Sequence, residues 1–291
     1  MSRLTLLDDD LDRYHDVYRN GFSKIAKKDV VLKEVAQHFD NIVLKKMTDV
    51  FQAEDQFNLL GVGVGEGHCE FHFLKRLGSH FRSIKNVAVE PNESLFKVFK
   101  AETQAWSSDI KSDCESHYFV GSLAQFFDES PLVNRKYNLI SAVHSLYYTG
   151  DLEATFIRLM SMLKDNGVMV IVLAGPNLIY RTHDNNPWLP AFDRYTDTPE
   201  TLKVVQLAER EGYKVSEFEL NTKWDVTDLF DEKSELGDKL ADFLTMTAYF
   251  RKTAPAGKVD EIMRFWRESC SEGGNGRLQT EPGEKLFFIT K

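Results

Sequence analysis

Four glycines at alternate positions, Gly61, Gly63, Gly65 and Gly67, close the apolar run of the stretch 57–67, FNLLGVGVGEG. The chemistry of that spacing is binding. With no side chains in the way, a ligand can lie against the backbone, and amides of the turn and of the helix behind it meet the ligand's polar groups. A turn selected only for its φ angles is the plain alternative. Two further stretches carry groups that would complete a site. Glu90 ends the apolar run 86–89, and His144-Ser145-Leu146-Tyr147-Tyr148 follows directly on 137–143, YNLISAV. An acid placed as Glu90 is accepts hydrogen bonds from both hydroxyls of a ribose. Its competing role is to cap the helix that 91–100 predicts. His144, of a residue type that titrates near pH 6.5, suits proton acceptance, directly or through water. It also suits a neutral role in orienting an acceptor, or a structural one at a strand end. His68 reads as structural.

Spacing then discriminates among nucleotides. The dinucleotide fingerprint G-x-G-x-x-G fails, because the third glycine position holds Glu66 counting from Gly61 and His68 counting from Gly63. The Gly-Lys-Ser/Thr of a phosphate-binding loop is absent, and no base follows to balance a polyphosphate. The alternating GxGxG is similar instead to the first motif of class I S-adenosyl-L-methionine (SAM) methyltransferases, whose cofactor carries no phosphate.

The elements that must position these groups read as an α/β fold. Residues 1–55 predict a helical cap. Leu11, Tyr14, Tyr18, Phe22 and Ile25 form one stripe, and Asp29 and Asp40 are placed as N-caps of the helices 30–39 and 42–51. Strands follow at 57–62, 86–89, 118–120, 137–143 and 168–173, with helices between them, which predicts a parallel sheet with right-handed crossovers. Gly121-Ser122 stands where an adenine edge is read. A helix at 199–211 and a strand at 213–220 come next, then a mostly helical stretch 222–270, a flexible loop at 272–276 and a closing strand at 285–290. The loop 177–195, with Trp188, Phe192 and Tyr195, reads as an active-site loop. The predicted divisions are 1–55 as helical cap, 56–221 as cofactor-binding core, 222–280 as helical substrate-region insertion and 281–291 as closing strand. Ligands of such sheets lie beyond the carboxyl ends of the strands. Gly61–Gly67, Glu90 and 144–148 are therefore expected to converge on one crevice.

Composition bounds the partners. A net charge of −9 over 291 residues argues against nucleic acid or an anionic membrane. The three cysteines, Cys69, Cys114 and Cys270, have no paired spacing, so neither a disulfide framework nor a metal site is expected. Arg3, Asp8, Asp9 and Asp10 precede any long apolar run, and no stretch reaches the roughly 20 apolar residues of a membrane span. The expectation is a cytoplasmic monomer.

On four segments the chain resembles the histamine N-methyltransferase family: LLGVGVGEGHCEF at 59–71, VAVEP at 87–91, YNLISAVHSLYYTGD at 137–151, and 224–250 with its WDVTDLF and DFLTMTAYF. The resemblance implies a Rossmann-like methyltransferase sheet that uses SAM and releases S-adenosyl-L-homocysteine (SAH). It also implies an acceptor region built from the N-terminal helices and the late insertion. The cofactor would touch Gly61, Val62, Gly63, Gly65, Glu90, Pro91, Ser122, Val143 and His144. A small-molecule acceptor would meet Tyr14, Lys27, His144, Tyr147, Tyr148, Trp188 and Phe243, with His144 and Tyr148 as candidate catalytic residues. Two departures bear on the acceptor. Lys27 aligns with the acid that holds histamine in the family, with Asp29 one adjustment away, and His144 replaces a glutamine. A cation beside Lys27 would be disfavoured, so the expected acceptor is an amine or imidazole compound other than histamine. A further point concerns the donor. Methyltransferases commonly carry an acid where Gly61 stands; the resembling family lacks it too, so the methionine ammonium falls to backbone carbonyls and water and binding is expected to survive. A small-molecule O-methyltransferase and a non-catalytic SAM-binding protein are the alternatives, with an oxidoreductase more distant.

Overall fold

The computed structural model describes residues 4–26, 28–107, 113–190, 200–255 and 257–291. Seven strands form the main sheet: β1 (Gln56–Val62), β2 (Ser83–Glu90), β3 (Asp113–Val120), β4 (Tyr137–Val143), β5 (Leu163–Ala174), β6 (Lys214–Leu220) and β9 (Glu284–Thr290). Their order is β3-β2-β1-β4-β5-β9-β6. The ladders β2–β3, β1–β2, β1–β4 and β4–β5 are parallel. The last strand of the chain thus enters the sheet between β5 and β6, as the closing strand anticipated. The chain reverses direction of travel along the sheet at β1, which has β2 on one side and β4 on the other. That is the switch point where open α/β sheets bind ligands.

The sheet forms because its central strands are apolar on both faces. Leu59, Leu60, Val87, Ile140, Val170 and Ile171 are fully buried, as parallel strands covered by helices require. Each side chain of this size contributes roughly 1.5–3 kcal/mol by leaving water.

The chain divides into two compact units. The larger comprises Leu32–Leu173, Glu200–Phe218 and Lys285–Lys291 and holds the sheet and its helices. Here two expectations are corrected. Asp29 lies inside the first turn of the helix Lys28–His38, and Asp40 lies inside a π-helical stretch, Phe39–Leu44, that runs on into the helix Lys45–Val50. Neither is an N-cap. Val35, Phe39, Val43 and Met47 are buried on one side, so apolar contacts carry the helical run through the acid. Asp40 instead accepts from Arg76 at 2.9 Å and meets His72 at 3.3 Å.

The smaller unit comprises Met1–Val31, Ala174–Pro199 and Glu219–Glu284. Its N-terminal segment docks on the late helical stretch: Leu7 N–H donates to Met246 O at 2.9 Å and Ala248 N–H to Thr5 O at 3.0 Å. The residues 272–276, anticipated as a flexible loop, belong to a small antiparallel hairpin of β7 (Ser271–Glu272) and β8 (Leu278–Gln279). Glycine-rich composition concealed it, since its two strands are two residues each.

Within this unit His183 is almost fully buried in the helix Leu178–Asn185. Burial pushes its pKa from the usual 6.5 down to about 4, against a smaller opposing pull from Asp184. The unfolded chain therefore binds more protons than the folded one between those two values, and stability rises with pH across that window. Roughly 3 kcal/mol is complete above pH 6.5 and is lost as pH falls towards 4. Urea titrations at pH 7, 6, 5 and 4 should record this slope, and His183→Gln should flatten it. An equal slope in the variant would show that other groups govern acid sensitivity.

Candidate functional site

The site is built at the carboxyl end of β1. Beyond Val62 the backbone turns on three left-handed glycines, Gly63 (φ 61°), Gly65 (φ 55°) and Gly67 (φ 72°). Gly63 N–H donates to Val89 O at 2.8 Å, tying the turn to the end of β2, and Gly67 N–H donates to Val64 O at 2.7 Å. Two of the glycines are demanded by close approach as well as by φ. A Cβ at Gly67 would lie 2.1 Å from the Phe99 ring, and one at Gly63 would lie 2.5 Å from Ser145 Cβ. At Gly65 the direction of a side chain is open, with nothing within 4 Å.

Glu90, at the end of β2, is 6% exposed. Its Oε2 accepts from Gly65 N–H at 2.8 Å and its Oε1 from Asn92 N–H at 2.8 Å. The helix cap weighed against a ribose role is supplied by Asn92, whose Oδ1 accepts from Ser94 N–H and Leu95 N–H ahead of the helix Glu93–Ser107. Glu90 thus spans the glycine turn and the β2 end with acceptor capacity remaining on both oxygens. Pro91, beside it, is exposed. Gly121 N–H donates to Glu90 O at 3.2 Å and brings the end of β3 to the same edge. Ser122 there is the N-cap of the helix Leu123–Glu129, in a reciprocal capping box with Gln125.

The corner after β4 is strained. His144 has φ 51°, and its N–H donates to Val172 O at 2.9 Å. A non-glycine residue held there costs about 1–3 kcal/mol and persists when its surroundings over-determine it. The His144 ring lies nearly parallel to that of Tyr147, with Nδ1 3.3 Å from the Tyr147 hydroxyl. Leu146–Tyr148 form a 3-10 turn, and Tyr148 is 69% exposed with its ring edge-on to Tyr147. Ser145 is buried, and its hydroxyl has no hydrogen-bond partner among the described residues. A buried hydroxyl in that condition, pressed against Gly63, marks a place for a ligand's polar group.

Beneath the turn lies a second acid, Glu70, in the first turn of the helix His68–Gly78 and 2% exposed. Ser141, which pairs with Gly61 across β1 and β4, donates its hydroxyl to Glu70 Oε1 at 2.6 Å. Burial raises the Glu70 carboxyl above the usual range, with the Ser141 hydrogen bond opposing. His68 itself is exposed and pairs with Glu66 at 3.1 Å, in keeping with a structural reading.

The structure therefore brings Gly61, Val62, Gly63, Gly65, Glu90, Ser122, Val143 and His144 to adjoining strand ends. It adds Ser145, Glu70 and Asn92, which sequence reasoning did not single out. Glu70 had a signal, because it continues the buried helical stripe of Phe73, Leu74 and Leu77 as the only charged member. The remaining acceptor candidates lie in the smaller unit. Tyr14 stacks on Tyr18 with centroids 6.2 Å apart, in one apolar cluster with Phe243, which stacks on Phe22 at 4.2 Å. Trp188 belongs to the adjoining cluster, its ring near Phe250 and its indole N–H donating to Asn186 Oδ1 at 3.3 Å. Lys27, Phe192 and Tyr195 lie outside the described residues. Among the described residues no three metal-ligating side chains gather, and no helix is long and apolar enough to cross a membrane.

The cradle fits a nucleoside with a small unphosphorylated tail. Glycines clear its floor, Glu90 offers a carboxylate, Ser145 presents a hydroxyl without a partner among the described residues, and the turn 61–67 itself carries no lysine or arginine. No family model matches the chain. It is 25% identical to a histamine N-methyltransferase of Xenopus tropicalis over 95% of this chain and 94% of that one. It is 22% identical to the Cavia porcellus histamine N-methyltransferase over 90% of each. A solved Bacillus halodurans structure, described as a candidate methyltransferase, superposes with a TM-score of 0.50 at 14% identity, covering 86% of this chain and 97% of that one. Strand order, glycine turn and these likenesses agree: the chain has the class I, Rossmann-like methyltransferase fold and is similar along most of its length to histamine N-methyltransferases.

Proposed function

We propose that the chain transfers a methyl group from SAM to a nitrogen of a small amine or imidazole-type metabolite other than histamine, releasing SAH. The observation that carries the reading is the joining of Glu90 to Gly65 beside the open Gly63–Gly65 turn. It leaves a carboxylate and bare backbone where a ribose and its thioether arm would rest. SAM, when bound, supplies an electrophilic methyl on a sulfonium. The chain's part is alignment of donor and acceptor and an aromatic surround that favours a cationic methyl over water. Tyr147 and Tyr148 follow β4 beside His144, and the resemblance makes them, with Tyr14, Phe243 and Trp188, candidates for the acceptor region. His144, whose Nδ1 lies 3.3 Å from the Tyr147 hydroxyl, would receive a proton from the acceptor or orient its lone pair.

The choice of acceptor rests on charge. A lysine at position 27, in place of the acid expected of a histamine site, opposes a cationic ligand, and His144 in place of glutamine suits an acceptor that must lose a proton. The test is incubation of the protein with methyl-labelled SAM and a panel of amines, imidazoles, amino acids and phenols, with products identified by mass spectrometry and NMR. The expected result is label on nitrogen of a compound other than histamine. Histamine as the acceptor of lowest KM would overturn the specificity reading. Label on oxygen would make the enzyme an O-methyltransferase, and SAM binding without turnover on any acceptor would leave a binding protein.

A further inference from the structure

An acid at the position of Gly61 is the usual partner for the ammonium of a methyl donor's methionine end. Here that position is closed. A Cβ at Gly61 would lie 2.5 Å from Val64 Cγ1 and 3.1 Å from Glu70 Cγ. The space is already filled by Val64 and by the stem of Glu70, which reaches it from the helix behind the turn. We propose that Glu70 takes over the missing acid's work and binds the cofactor's ammonium, while the Ser145 hydroxyl binds the adjoining carboxylate. The inference rests on the methyl-donor reading above and assigns the subsite for its amino-acid end.

Three observations support it. Glu70 is a carboxyl in a position where an aliphatic side chain would fill the same volume without desolvation cost, 2% exposed and in the buried stripe of its helix. Among the described residues the Ser141 hydroxyl and the residue's own backbone N–H engage it, so acceptor sites on its two oxygens remain. Ser145 stands on the other flank of the same turn, touching the space above Gly63, with a buried hydroxyl that no described group satisfies. A buried hydroxyl with no partner among the described residues and a buried acid with acceptor capacity left flank one glycine turn. They match the two ends of an α-amino acid, whose carboxylate accepts from a hydroxyl and whose ammonium donates to a carboxylate. The nearby charges agree with a cationic ligand. Burial and the nearby Glu90 disfavour the charge on Glu70, and the Ser141 hydroxyl, its own backbone and His68 favour it. An arriving ammonium would stabilise the ionised acid.

The opposing account makes Glu70 a plug that fills the gap over Gly61 and Ser141. The two separate in a titration with a pair of nucleosides, SAH and 5′-methylthioadenosine, which share the adenosine and thioether and differ in the amino-acid end. The full-length protein, Glu70→Gln and Ser145→Ala are titrated with both by calorimetry. Glu70→Gln should weaken SAH about tenfold or more and change methylthioadenosine by less than about twofold. Ser145→Ala should show the same selectivity with a loss of about three- to tenfold. The melting temperature of free Glu70→Gln should be unchanged or higher, because the isosteric amide removes a buried acid. Equal losses for the two nucleosides, or none for either, would return Glu70 and Ser145 to structure, and Ser145→Ala decides the matter alone if Glu70→Gln fails to fold. A wild-type chain that binds neither nucleoside would overturn the methyl-donor reading itself and this inference with it. One that binds SAH while the variants lose nothing overturns the inference alone.

Discussion

Glu90→Ala should lower affinity for SAH by roughly 10- to 100-fold, equivalent to about 1–3 kcal/mol. Two losses combine. The carboxylate that would receive both ribose hydroxyls disappears, and so do the acceptors for Gly65 N–H and Asn92 N–H, each now at 2.8 Å. The second loss matters because Gly65 is held at φ 55°, and once freed it has many conformations to choose from. Glu90→Gln, which keeps one carbonyl oxygen, should fall between the two. Calorimetric titration checks the order wild type, glutamine, alanine. Affinity unchanged in Glu90→Ala would remove the residue from the cofactor site and leave it a brace for the turn.

The second large effect concerns stability. Asp242, 1% exposed, receives Arg13 Nε at 2.8 Å, a second contact from the same guanidinium at 2.7 Å, and the backbone N–H groups of Tyr249 and Phe250 at 2.9 and 2.8 Å. Those backbone groups sit in a tight segment. Met246 and Tyr249 both have left-handed φ, 47° and 54°, which side chains other than glycine adopt at a cost. Asp242 therefore shares a mostly buried arginine with Asp16 and pins the loop between the helix Glu235–Thr245 and the short helix Phe250–Thr253. Asp242→Ala leaves the two N–H groups without their acceptor and the guanidinium with Asp16, at 3.1 Å, as its remaining carboxylate. It should cost about 3–5 kcal/mol, the usual penalty for removing one partner of a buried pair. Urea denaturation at neutral pH measures it. A loss under about 1 kcal/mol would mean that water replaces the carboxylate readily and that the network is peripheral.

Much of the sheet was legible because its strands carry their burial in their composition. VMVIVLA is apolar on successive residues and YNLISAV nearly so, broken by Asn138 and Ser141, as suits strands covered on both faces. The glycine turn was legible for the same local reason, since alternate glycines serve few purposes other than left-handed φ and close approach. Glu90 was found by its place after a strand. The helical cap was harder. An aspartate before an apolar stripe signals an N-cap, and at Asp40 the signal failed because Phe39, Val43 and Met47 are buried together and hold the helix through it. Ser145 and Glu70 were missed for a different reason. Their importance comes from contacts across the chain, at Gly63 and at Ser141, and no local pattern announces which strand faces which turn. The same holds for the Arg13–Asp242 pair, whose members stand 229 residues apart. Short hairpin strands such as Ser271–Glu272 carry too few residues for any periodicity to register.

A titration of the wild-type protein with SAH and, separately, with a nicotinamide dinucleotide tests the central claim, that the crevice at the ends of β1, β2 and β4 receives a methyl donor. Saturable one-to-one binding of SAH with no heat from the dinucleotide is the predicted result. Binding of the dinucleotide in place of SAH would contradict it.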